Sequence, residues 1–333
     1  MNPLNQEHRQ LQHYSTENSQ QLPRTFAEAV TKVKNFALEE FDKEIAQKQL
    51  YYHTREHVNG VQRRAQMIFQ VICPDWEASQ EGDAASDYIT RMKLLINLCA
   101  VSHDMIQVFI PQTEPHTSRR REPGVSETAT IDRLINYINE QNQRLQKYDS
   151  ENPALFTDLE LHMIREAIEV TISAFDPSDQ AIYQPALYNP DKNLSLVARI
   201  IALADIGSLG IEGVEVYNWE GSLHLLEDNP DIIPLILKGE IQNLDSENPE
   251  LYENLRQRLL RRARFQVNFA KSRVARYARE VQGLPAEAIP VLTNDVFKYL
   301  NQETLREIEL ITPTDEDTSL NELIEFFALE KYI

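Results

Sequence analysis

Apolar residues recur at helical spacing in segment after segment of this chain, and that repetition restricts it to a fold of packed helices. Phe26, Val30, Val33, Phe36 (or Ala37) and Phe41 form one stripe. Thr25 opens it, with Glu28 three residues on, the pairing of a capping box. Val58, Val61, Ala65, Ile68 and Ile72 form a second stripe behind a cap at Thr54, and His57 lies on it, four residues before Val61. Thr157 with Glu160 starts "TDLELHMIREAIEVTISAF", and in "LSLVARIIALADIGSLG" Val197, Ile200, Ile201 and Ala204 run beside Asp205. Strand signals are scarce: β-branched alternation is rare, and 9 glycines in 333 residues leave few tight turns. The expected fold class is all-α.

One segment, "SDYITRMKLLINLCAVSHDM", opens at a capping Ser86 and is apolar over most of its later surface, which predicts the buried centre of a domain. It ends in His103 and Asp104. The loop "IQVFIPQTEPHTSRRREPG" follows, with His116 and three consecutive arginines, and Ser126 is placed to cap the helix after it.

Three parts are expected. Residues 1–22, rich in Gln, Asn and Ser, read as a disordered polar tail. Residues 23–215 form a helical domain, and 216–333 a C-terminal helical extension. The extension holds a long helix over 249–282 with Leu251, Leu255, Leu259, Ala263, Val267, Ala270 and Val274 on one face. Nine Arg/Lys run from Arg256 to Arg279 with no acidic residue between them; they most simply pair with the chain's acidic surplus rather than dock a partner or a polyphosphate. Ser319 with Glu322 caps a last short helix.

A net charge of −19 argues against a nucleic-acid polymer or an anionic membrane as partner. It leaves small molecules or basic proteins, and does not oppose a homo-oligomer. No run approaches ~18 uninterrupted apolar residues, so no membrane span is expected. Cys73 and Cys99 lie in apolar helical runs and read as buried free thiols of a reducing compartment. With a polar N-terminus lacking an apolar signal core, the expected location is the cytoplasm.

Four polar residues fall inside apolar helical surroundings: His57, His103, Asp104 and Asp205. Singly, each has an ordinary reading. A lone histidine on an apolar face is usually a hydrogen-bonded core residue, His103–Asp104 can be a helix end followed by a turn, and Asp205 can pair with Arg199 or Arg64. An ionised carboxylate left in such a place, however, costs several kcal/mol unless a cation or donors compensate. Two imidazoles and two carboxylates from three helices suit a divalent ion.

The order His57, His103–Asp104, Asp205 resembles the H…HD…D signature of the HD-domain metal-dependent phosphohydrolase superfamily. "YHTREHV" resembles a motif shared by a small-HD-protein subgroup and the cyclic nucleotide phosphodiesterases; "SETAT" and "LADIGSLG" resemble two later strings of that subgroup. The similarity covers roughly 25–215. It implies an HD-type helical bundle, ligation of one divalent ion (Mn, Fe, Co, Ni, Zn or Mg) by His57, His103, Asp104 and Asp205, and hydrolysis of a small phosphate ester, nucleotide or cyclic nucleotide. His53 would be the general acid, Asp104 would serve both metal and catalysis, and Glu127 would stand behind the ligands or at a second ion. Arg64, on the His57 face, and Arg119, Arg120 and Arg121 could clamp the phosphate. The sequence departs from the pattern at Phe175 and Asp176, where the subgroup often has a histidine, and at Glu122, where the phosphodiesterases have His-Pro-Gly. These departures favour a single ion, and they motivate the alternative of a non-catalytic HD-fold sensor or interaction module.

Overall fold

The computed structural model of the chain describes residues 22–80, 85–189 and 192–333, and the fold is all-α. Helix α1 (Phe26–Lys48) starts at Thr25, whose hydroxyl accepts the Glu28 amide. The Glu28 carboxylate turns to the amide of Arg24 instead of Thr25, so the expected box is only half closed. The α1 stripe is completed by Ala37, not Phe36, which is only partly buried. Helix α2 (Arg55–Ala78) follows Thr54, which caps it without a side-chain bond, and buries His57, Val58, Val61, Ala65, Ile68 and Ile72. Helix α3 (Ala85–Ser102) begins one residue ahead of Ser86, so that serine sits in the first turn and not at the cap.

Next come α4 (Val125–Gln146), α5 (Asp158–Glu169), closed by the complete Thr157–Glu160 box, and α6 (Leu196–Asp205), capped by Ser195. Helix α3 packs against α1, α2, α5 and α6. Leu95, Leu98, Cys99 and Ala100 are fully enclosed there, as a helix apolar on nearly all sides requires. Burial pushes the Cys99 thiol up to about 12; Cys73, expected to be buried, is only partly so, and both are free. The helix opened at Thr157 was expected to run through "TDLELHMIREAIEVTISAF" to Phe175, but α5 stops at Glu169 and the chain forms a short antiparallel hairpin before α6, β1 (Ala174–Asp176) with β2 (Ala181–Tyr183). Asp176 accepts the Ser178 amide at its turn, a local bond that a helix cannot offer.

The second half contains α7 (Ser208–Glu212), α8 (Val214–Asp228), α9 (Ile232–Leu237), α10 (Leu244–Glu247), α11 (Pro249–Glu280), α12 (Ile289–Val291), α13 (Gln302–Ile311) and α14 (Leu320–Phe327). Residue 215 lies at the start of α8. Beyond it the chain makes a core of its own around Leu226, Leu259, Leu323 and Phe327, and also returns to the first core through Tyr277, Val281, Leu292 and Phe297. Helices α8 and α11 touch at Gly221, where any side chain would collide with the Gln266 amide. Of the expected tail, residues 1–21 lie outside the described residues; Leu22 packs on the first core. Among the described residues no helix is long and apolar enough to cross a membrane.

Candidate metal centre

Three helix ends meet at one point. His57 stands in the first turn of α2, His103 and Asp104 directly follow α3, and Asp205 is the last residue of α6. The C-termini of α3 and α6 bring two negative dipole ends to this point against the one positive end of α2, so the sum favours a cation. His57 Nε2 lies 3.2 Å from Asp104 Oδ2, 3.4 Å from His103 Nε2 and 3.8 Å from Asp205 Oδ1. His103 Nε2 is 3.0 Å from Asp104 Oδ2 and 3.4 Å from Asp205 Oδ1. One donor atom from each of the four residues lies within 4.8 Å of all the others. Nitrogen and oxygen donors about 2.1 Å from a shared ion stand about 3.0–4.2 Å apart, and those five separations fall in that range.

The donor chemistry fits as well. His103 Nδ1 contacts the Ala100 carbonyl at 3.1 Å, so Nδ1 carries the hydrogen and the Nε2 lone pair points at the centre. Lone pairs of two imidazoles and two carboxylates converging in a buried place repel one another unless positive charge lies between them. A proton on His103 would also serve that role. Burial opposes it, but the Asp104 carboxylate and then Asp205 raise His103 well above its ordinary value. Burial works against Asp104 ionisation too, yet His103 and His53 hold it well below the usual carboxylate range. For His57 burial outweighs Asp104 and the pKa falls. His57 Nδ1 is buried without a partner among the described residues, and packing against Tyr52, 4.4 Å between ring centres, orients that ring.

Gln184 supports the set from behind: its Nε2 donates to Asp205 Oδ2 at 3.1 Å. Replacing such supporting groups typically costs 10- to 100-fold in metal affinity. Gln184→Ala is therefore expected to weaken metal binding by about tenfold or more while leaving all four ligands in place, which a competitive chelator titration would read.

His53 sits outside α2 and outside the ligand set. Its Nδ1 is 2.5 Å from Glu227 Oε1, and its Nε2 is 3.6 Å from Asp104 Oδ2. The second Glu227 oxygen accepts the amides of Tyr51, Tyr52 and His53 at 3.1, 3.0 and 3.0 Å. Burial would raise this fully enclosed carboxyl, but the charge and hydrogen bonds of His53, with Arg121, hold it at about 2. Glu227 thus fixes both the turn that carries His53 and the ring itself.

A cavity of about 420 Å³ opens beside the cluster and includes His53, Asp104, Asp205, Glu122 and Glu127 in its wall. Glu127 stays outside the ligand group; burial, with Asp104 and Asp205, raises its carboxyl. The four arginines separate. Arg121 lines the cavity with Nη1 3.1 Å from His53 Nε2 and 2.7 Å from Gln107 Oε1, and Arg119 lines it while donating to the Lys48 carbonyl. Arg120 is exposed and does not line the cavity. Arg64 is fully buried away from it, bonded to Ala204 O, Glu212 and Glu220, and so cannot be a phosphate clamp. His116 is exposed and faces Asp231. Ser126 does not cap α4, whose cap is Gly124; its hydroxyl accepts the Val108 amide, and Thr130 accepts that of Ile106. The Ser126 and Thr130 hydroxyls of "SETAT" therefore anchor the segment that leaves His103–Asp104.

Helix α8 supplies a part of the site that the sequence reading passed over: Glu220, His224, Glu227 and Asp228. His224 stacks on Tyr52 at 3.5 Å, and burial with nearby Arg262 lowers its pKa well below normal. The signal was present, since Glu220, His224 and Glu227 recur at helical spacing among Leu223, Leu225 and Leu226, the same pattern that exposed His57. Comparison of the chain with protein-family models, with curated proteins and with solved structures gives no match.

Proposed function

We propose that this chain is a metal-dependent phosphohydrolase of the HD type that acts on a small phosphate ester, with nucleotides and cyclic nucleotides as its first substrates to test. The observation that carries the reading is the placement of His53, clamped by Glu227, 3.6 Å from a carboxylate of a four-residue set suited to a divalent ion. A divalent ion in that set would acidify a water and offset charge on a phosphoryl oxygen. His53 Nε2, at the cavity wall, would hand a proton to the leaving oxygen, while Glu227 keeps Nδ1 protonated and the ring aimed. Arg121, beside His53, would draw the anionic ester toward that proton.

The test is the metal content of the purified protein, together with hydrolysis of a panel of nucleotides, cyclic nucleotides and simple esters before and after chelation. The expected result is bound metal and hydrolysis that disappears on chelation and returns on adding Mn or Zn. Protein that neither holds nor takes up a divalent ion would sink the reading. Metal without hydrolysis of any ester favours the sensor alternative, which Phe175 supports: it stands exposed on β1 at the cavity where a histidine would be expected.

A further inference from the structure

One face of α11 turns toward the cavity at helical spacing: Arg262, Phe265, Gln266 and Phe269 all line it. Leu255, Leu259, Ala263 and Ala270 occupy the buried face. Along this helix Arg256, Arg258, Arg264, Lys271, Arg273 and Arg276 each end on a carboxylate. Arg262 makes no ion pair among the described residues, and its Nε is buried with no hydrogen-bond partner.

The charged groups around Arg262 do not compensate it. Asp228 attracts it, but Asp228 also faces Arg121, Nη2 to Oδ1 at 3.8 Å, so two guanidiniums share one carboxylate. Glu227, the other carboxylate near Arg121, is already occupied by His53 and three amides. Burial, with Arg121, depresses the Arg262 pKa despite Asp228, Tyr217 and Tyr52. A partly buried cation whose Nε is enclosed and whose partner is shared is costly, and a bound oxyanion lowers that cost. Beside it the Phe265 ring lies 5.1 Å from the guanidinium carbon and is parallel to Phe269 at 5.9 Å, with Tyr217 stacked beyond at 6.2 Å.

We propose that Arg262, with Arg121 near it, forms an oxyanion subsite of the cavity, separate from the four-residue metal set, and that it takes a phosphate or carboxylate group of the ligand. The Phe265–Phe269 shelf receives the ligand's apolar part. That this ligand is a substrate rests on the phosphohydrolase reading; the subsite itself does not.

The test is a calorimetric titration of inorganic phosphate, and separately of acetate, into chelator-treated wild type, Arg262→Gln and Arg262→Lys, with thermal unfolding as the folding check. Charge-assisted hydrogen bonds of this kind are worth about tenfold or more in affinity. Phosphate or acetate should bind wild type at least tenfold more tightly than Arg262→Gln, and whichever shows that loss identifies the oxyanion. Arg262→Lys, which keeps the charge without the fork, should lose less, and it carries the test if the glutamine variant does not fold. Equal affinity in wild type and variant for both ions overturns the subsite. No metal and no turnover enter this measurement, so it can fail while hydrolysis succeeds, or succeed while hydrolysis fails.

Discussion

Asp104→Ala should remove metal and hydrolysis together. Its Oδ2 lies within 3.2 Å of both His57 and His103 and 3.6 Å from His53, so it links both candidate imidazole ligands to the proposed proton donor. Deleting it takes away one of two carboxylates, and with it half of the negative charge that would hold a divalent ion. Outer partners of metal ligands already cost 10- to 100-fold in affinity, so losing a ligand should exceed about a hundredfold, with hydrolysis falling in step. Metal analysis after dialysis, alongside hydrolysis rates, reads both. Asp104→Asn, which keeps an oxygen but not the charge, should retain more metal than the alanine variant. Full metal occupancy in Asp104→Ala would place the ion elsewhere.

His53→Asn should do the opposite: leave the metal and lower turnover. Positioned general acids contribute typically 10²- to 10⁴-fold, and a loss of that size in kcat with unchanged metal content is the expected signature. Metal loss in this variant would place His53 in the ligand set and overturn its assignment as proton donor. Glu227→Gln should share much of the kcat loss, because the charge that keeps Nδ1 protonated is gone while a carbonyl oxygen remains for the amides of residues 51–53. Its sign with pH is fixed. A carboxyl lowered from 4.5 to about 2 stabilises the fold above its unfolded value, and the contribution fades as pH falls toward 2. Near neutrality Glu227 therefore stays ionised and adds no inflection of its own to a rate profile.

Much of the fold was legible because helical stripes report directly on burial. His57 and Asp205 announced themselves as polar positions on such stripes. Arg64 shows where that inference runs out. It lies on the face of His57, two turns on, but that face dives beneath α6–α8, where Glu212, Glu220 and a carbonyl take its charge. Spacing gives the direction of a side chain and says nothing about what will cover it. The helix caps erred for a related reason: Ser126 looked like a cap, yet a hydroxyl in a first turn can equally accept from a neighbouring segment, and Val108 supplied the donor. The hairpin at 174–183 was too short to carry any period. Glu227 was harder still, since nothing local connects it to the turn 174 residues earlier that it clamps.

That span sets a timetable for the molecule. A ribosome adding 5–20 residues per second needs roughly 10–35 s to travel from His53 to Glu227, and longer before α8 is free to dock. The four candidate ligands are complete only at Asp205, 22 residues before Glu227, so about 1–4 s separates the last of them from the clamp on His53. Under the proposed function, ion capture and the arming of His53 are therefore nearly simultaneous events of synthesis, and both wait on the second half of the chain.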